Sequence, residues 1–154
     1  MSKKIKLTVL FLILNLASLA IGSWLMDDGP RDIWYQNLNK APWTPPGWVF
    51  GAAWSFIMIC FSIYLANLFL KQQTTNATFV YGIQLVLNIS WNYAFFNQHQ
   101  ITLGLVILLL LNIVLSYFFF SLSKNITKIR LLLLPYIIWM CIATSLNLYI
   151  LIHN

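Results

Sequence analysis

The residues best placed to act on a ligand are amides and indoles lying inside long apolar stretches. Gln84, Asn88, Trp91, Asn92 and Phe95 follow at i, i+4, i+7, i+8 and i+11, a spacing that gathers them on one helical face. Hydrocarbon provides no partner for an amide, so this face is expected to turn inward. Two readings remain open from the residues alone. The amides could serve only as interhelical hydrogen bonds, averaging ~0.6 kcal/mol each, or they could line a ligand cavity.

The neighbouring stretches are aromatic at the same period. Gly51, Trp54, Met58, Phe61 and Leu65 recur along one, with Gly51 read as allowing close approach beside Trp54; Tyr136, Trp139, Ala143, Leu146, Asn147 and Ile150 recur along another. Trp43, Trp54, Trp91 and Trp139, with Tyr35, Asn88 and Asn92, would together enclose a flat aromatic ligand. Indole faces stack on an extended π-system, each good pair adding ~0.5–1.5 kcal/mol beyond area burial. A few amides would then fix its orientation.

Conventional catalytic chemistry is not encoded. His99 and His153 are isolated, and Cys60 and Cys141 fall inside apolar stretches, where they read as small buried hydrophobes. No Ser-His-Asp set, HExxH or glycine-rich phosphate loop is present, and no metal site is expected. No acid or base within the stretches forms a proton or ion relay, which counts against an ion-coupled transporter.

The elements that must position these groups belong in a membrane. Sixty per cent of the 154 residues are hydrophobic and 8% charged, against roughly 25% charged in a soluble domain. Five stretches, about 5–26, 48–70, 78–96, 101–122 and 130–152, each approach the ~20 residues that cross a bilayer as helix. The expectation is an all-α membrane protein, a bundle of five transmembrane helices forming one domain over 1–154. Lys3, Lys4 and Lys6 before Leu7–Ala20 resemble a secretory signal, but the apolar run continues through Met26 and is read as a retained span. The fourth stretch is almost uniformly apolar and reads as facing lipid or a second protomer.

The segment 27–47 between the first two stretches ends in Ala41-Pro42-Trp43-Thr44-Pro45-Pro46-Gly47-Trp48. Three prolines in five positions fix φ and remove donors, so this loop has little freedom to lose on closing over a ligand. Simple interfacial anchoring by tryptophan is the other reading. With five spans, Lys3, Lys4, Lys6, Lys71, Lys124, Lys128 and Arg130 share one side, against Arg31 and Lys40 on the other. That asymmetry predicts a cytoplasmic N-terminus and an external loop. The net charge of +6 is thus a topology signal; no nucleic-acid partner is expected.

Trp34-Tyr35, Pro42-Trp43-Thr44-Pro45-Pro46-Gly47, Trp54, Leu87-Asn88-x-x-Trp91-Asn92-x-x-Phe95-Phe96 and Pro135-Tyr136-x-x-Trp139-x-x-x-Ala143-Thr144-x-Leu146-Asn147 occur in order through nearly the whole chain. This ordered set resembles the TspO/MBR family, which includes bacterial tryptophan-rich sensory proteins and the mitochondrial translocator protein, or peripheral benzodiazepine receptor.

The resemblance implies a five-helix bundle, often homodimeric, binding porphyrins, sterols and benzodiazepine-type drugs in a pocket closed by the first loop. It implies protoporphyrin IX or haem as ligand rather than required cofactor. It also implies a porphyrin sensor or stress-response role in a bacterial cell membrane, with light-dependent porphyrin degradation in some members and transport of porphyrin or other small hydrophobic ligands as the alternative. Carried over by motif, Trp54 and Trp139 match the tryptophans implicated in degradation. Tyr35, Trp43, Pro46, Trp54, Met58, Asn88, Trp91, Asn92, Phe95, Trp139 and Ala143 make up the expected ligand site. The animal members' cholesterol pattern needs a Lys or Arg after its aromatic residue; Tyr149 is followed by none, which counts against sterol binding.

Overall fold

A computed structural model describes residues 2–71 and 75–154. It is helical throughout, with no strand among the described residues. The elements are α1 (Lys3–Leu25), α2 (Ile33–Asn37), α3 (Gly47–Lys71), α4 (Thr75–Asn92), α5 (Ile101–Tyr117) and α6 (Leu134–His153). Two π-helical turns, Tyr93–Asn97 and Phe118–Leu122, extend α4 and α5, and a 3-10 turn, Ile129–Leu133, leads into α6. These ends lie close to the expected stretches.

Four of the helical segments are long and apolar enough to cross a bilayer: Lys3–Arg31, Gly47–Lys71, Ile101–Leu122 and Ile129–His153. The third expected span is not among them. Thr75, Asn76, Gln84, Asn88 and Asn92 fall within the eighteen residues of α4 and dilute its apolar character. The chain is an all-helical, multi-pass membrane protein with one long helix markedly more polar than the rest.

α3 is the axis of the core. Ile57, Met58, Phe61, Tyr64, Leu65 and Leu68 are buried from its middle onward, along its second half. Leu108, Leu111, Leu115 and Phe118 meet them from the α5 side, Tyr136 and Met140 from α6, and Phe11 and Tyr81 from α1 and α4. α1 lies beside α3 and α4, while α5 lies beside α4 and α6. α5 is therefore amphipathic in packing though apolar all round: Gly104, Ile107, Leu108, Leu111 and Leu115 are buried, and Leu103, Val106, Leu109 and Ile113 are exposed.

Asn15, Ser18 and Gly22 form a small, polar stripe along α1, and all three are buried in contact with neighbouring helices. Asn15 Nδ2 donates to Ser62 Oγ at 2.9 Å, and the Tyr81 hydroxyl donates to Asn15 Oδ1 at 2.9 Å. One turn beyond Ser18, a Cβ on Gly22 would meet Asn92 Nδ2 at 2.6 Å, so glycine there permits the α1–α4 approach. Gly51 does not have the role expected of it. Nothing lies within 4 Å of where its Cβ would be, so it faces open space rather than another helix. Cys60 is buried as expected, but Cys141 is exposed on the outer face of α6.

The segment between α1 and α3 contains structure that composition did not reveal. Asp27 and Gly29 adopt φ of 57° and 53°, turning the chain back from α1. Asp32 Oδ1 then accepts from Trp34 N at 2.7 Å and caps α2.

Candidate ligand cavity

The loop folds over the end of the bundle and roofs a cavity of about 580 Å³. Its roof comprises Pro30, Tyr35, Lys40, Thr44 and Pro45; α1 contributes Leu19, Ser23 and Met26. From α3 come Gly47, Phe50, Gly51, Trp54 and Ser55, and from the α4 end Trp91, Asn92 and Phe96. Ser23 on α1 and Gly47, Gly51 and Ser55 on α3 are exposed, so the cavity is open along the α1–α3 side. The open space beside Gly51 is this opening.

Four of the expected site residues line this cavity: Tyr35, Trp54, Trp91 and Asn92. Their placement follows from helix rotation and from specific supports. Trp91 lies nearly parallel to Phe95, ring centroids 5.3 Å apart, and its Nε1 donates to Asn147 Oδ1 at 3.4 Å. Trp54 meets the edge of Tyr136 at 5.7 Å. Asn92 Nδ2 donates to Asn88 O at 3.3 Å. Tyr35 rests on Phe96, centroids 5.2 Å apart, and burial raises its phenol above the ordinary tyrosine pKa, keeping it protonated at neutral pH.

The other expected residues lie elsewhere. Met58 is 1% exposed, in the core beneath the cavity. Asn88 Nδ2 and Gln84 Nε2 both donate to the Tyr136 hydroxyl, at 3.0 and 2.8 Å, so these amides are used between helices. Phe95 is buried and supports Trp91 from behind. Trp139 is 8% exposed and packs edge-on against Phe50 at 5.3 Å, one ring removed from the wall. Ala143 packs against the core. Trp43 lies on the outside of α6, where its Nε1 donates to Ser145 Oγ at 3.2 Å and its ring meets the edge of Tyr149. Pro46 precedes α3 and does not line the cavity, although its neighbours Pro45 and Gly47 do. Among the described residues, none lining the cavity comes from α6.

Several lining residues were not anticipated. Phe50 lies one turn before Trp54, and Gly47, Gly51 and Ser55 repeat at every fourth position, a signal that was present but pointed equally to helix packing. Lys40 had counted only toward topology. Its Nζ donates to Tyr35 O and Gln36 O at 2.9 Å each and to Leu38 O at 3.3 Å, and lies 4.9 Å from the Tyr35 ring centroid. It thereby satisfies carbonyls at the end of α2 and holds Tyr35 against the cavity. No metal-binding group of His, Cys, Asp or Glu occurs among the described residues.

The arrangement is suited to hold a flat, largely apolar molecule between two indoles and a loop, with hydroxyl, amide and ammonium groups at its margin. A model of the TspO/MBR family matches residues 10–153. The chain is 30% identical over 116 residues to the tryptophan-rich sensory protein of Cereibacter sphaeroides, covering 75% of this chain and 73% of that one. It is 35% identical over 125 residues to the tryptophan-rich protein TspO of Archaeoglobus fulgidus, covering 79% and 80%. It is 32% identical over 119 residues to the translocator protein of Homo sapiens, covering 74% and 70%.

Proposed function

Because this chain belongs to the TspO/MBR family, we propose that it is a membrane sensor that binds protoporphyrin IX and related tetrapyrroles, haem included, in the cavity beneath its first loop. The observation that carries this reading is the pairing of Trp54 and Trp91 in the wall of one loop-roofed cavity. Its volume falls within the ~300–1,000 Å³ of small-molecule sites. Drug-like aromatic ligands would use the same walls. All five long helices cross the bilayer in this proposal, with a cytoplasmic N-terminus, an external loop, a bacterial cell membrane as location and a homodimer as the assembly.

Light-dependent degradation of protoporphyrin is a further part of the reading, with dioxygen as oxidant. Trp54 is then the ring in reach of the macrocycle. Trp139 would act only through Phe50, since Phe50 stands between it and the cavity. Transport, suggested by the translocator names among the relatives, is the second reading. The buried Gln84–Tyr136–Asn88 layer lies a turn or more below Asn92 and supports binding over passage.

The test uses protein in lipid nanodiscs titrated with protoporphyrin IX, followed by tryptophan quenching and the porphyrin spectrum. Wild type should bind saturably, Trp54→Phe and Trp91→Phe several-fold more weakly. Under illumination at matched occupancy, Trp54→Phe should slow porphyrin loss more than Trp139→Phe. Absence of saturable binding would overturn the tetrapyrrole reading. Equal photochemical rates in all variants would remove the indoles from any degradation.

A further inference from the structure

Lys40 is the one charged side chain lining the cavity among the described residues, and no acid accompanies it there. We infer that the cavity selects carboxylate-bearing aromatic ligands over neutral ones of the same shape, with Lys40 as the residue that makes the selection. This deepens the reading of the site given above and rests on it for the location of the ligand.

The acids nearby in sequence are engaged or directed elsewhere. Asp32 spends one oxygen on Trp34 N at 2.7 Å and turns the other toward His99 Nε2 at 3.5 Å. Asp27 and Asp28 are exposed and do not line the cavity. No carboxylate lies within 4 Å of Lys40 among the described residues. Its positive charge is therefore uncompensated by any ion pair, beside apolar walls where screening by water is reduced.

The ammonium is also held in place before a ligand arrives. Two backbone bonds of 2.9 Å and the Tyr35 ring fix its position, while the third bond, to Leu38 O, is the longest at 3.3 Å. A ligand carboxylate can take over that weakest bond while the other two persist. Charge-assisted bonds of this kind are about twice as strong as neutral ones, and a pre-positioned group loses little entropy in making one. Thr44 cannot substitute, because its hydroxyl already donates to Ala41 O at 2.7 Å. The protonated Tyr35 phenol adds a neutral donor at the same end.

The experiment compares acid and neutral partners of one ring system in nanodiscs, correcting for partition into empty discs. The pairs are protoporphyrin IX with its dimethyl ester, and 1-pyrenebutyrate with its amide. Wild type should bind each acid at least tenfold more tightly than its neutral partner. Lys40→Met should reduce that ratio to near one, because whatever it costs by releasing Tyr35 falls on acid and neutral partners alike, and Lys40→Arg should retain the ratio. Oleate, a carboxylate without rings, should not displace the bound acids at equal concentration.

Equal binding of acid and neutral partners by wild type would overturn the inference, as would a Lys40→Met variant that loses both alike. Displacement by oleate would overturn its aromatic part. Failure of both porphyrins, with a Lys40-dependent preference for pyrenebutyrate, would instead overturn the tetrapyrrole reading and leave the charge selection standing.

Discussion

Tyr136 carries more of the interior than its single hydroxyl suggests. That oxygen accepts from two amides on α4, while its ring meets Trp54 and Phe61. Tyr136→Phe keeps the rings together and strands Gln84 Nε2 and Asn88 Nδ2 in the bundle. At ~0.6 kcal/mol per interhelical bond, with part of the desolvation cost added, the loss should be about 1–2 kcal/mol. Thermal unfolding in detergent checks this, and a melting point equal to wild type would show that water replaces the hydroxyl.

Gly22→Ala probes a different economy of space. The added methyl would crowd Asn92 Nδ2, the movable end of a side chain that lines the cavity. The amide should swing away from Asn88 O and into the cavity, weakening porphyrin binding several-fold for a destabilisation of only about 1 kcal/mol. Affinity and melting point measured on the same sample separate the two effects. A large loss of stability with unchanged affinity would mean that α1 moves instead.

Helices supply these residues, and the loop is tied to one of them at a distance. Asn154 Oδ1 accepts from Asn39 N at 2.9 Å, Asn154 Nδ2 donates to Asn39 O at 3.3 Å, and Asn39 Nδ2 donates to His153 O at 3.0 Å. Together with Trp43 on Ser145, this moors the roof to the far end of α6, a helix that provides no wall. Asn154→Ala removes two of the mooring bonds. Porphyrin should then dissociate several-fold faster, with helicity unchanged; stopped-flow fluorescence beside circular dichroism reads both. An unaltered off-rate would mean that the two Asn154 bonds do not restrain the loop.

Sequence periodicity located the inward face of α4 because a 3.6-residue repeat is a local property. It could not divide that face into a structural half, Gln84 and Asn88, and a cavity half, Trp91 and Asn92, since the division depends on how high Tyr136 stands on another helix. Trp139 shows the same limit. Its identity and spacing were legible, but Phe50 from α3 occupies the place between it and the cavity. The π-helical turn at Tyr93–Asn97 and the five-residue α2 were not legible, being too short to leave a repeat.

At the scale of the whole molecule, the uneven distribution of basic residues predicts the orientation on which an external loop depends. Single cysteines at Ser2 and Asn37, both exposed, can be placed in a background lacking Cys60 and Cys141. An impermeant thiol reagent added to intact cells should label position 37 and spare position 2. The reverse pattern would invert the topology and place the cavity mouth in the cytoplasm.

The polar character of α4 also bears on how the chain enters the bilayer. Synthesis delivers α1, α3 and α4 before α6, yet Gln84 and Asn88 find their partner on α6. Until Tyr136 arrives, two amides in a helix of modest apolarity have no acceptor, and hydrocarbon penalises each. What can hold α4 meanwhile is α1, through Tyr81 on Asn15 and the close seat of Asn92 against Gly22. Biogenesis would thus pass through an α1–α3–α4 intermediate whose third member is retained by its neighbours rather than by its own partition energy. In a glycosylation-reporter assay, α4 presented alone should integrate poorly, α4 following α1 and α3 substantially better, and Asn15→Leu should erase most of that gain.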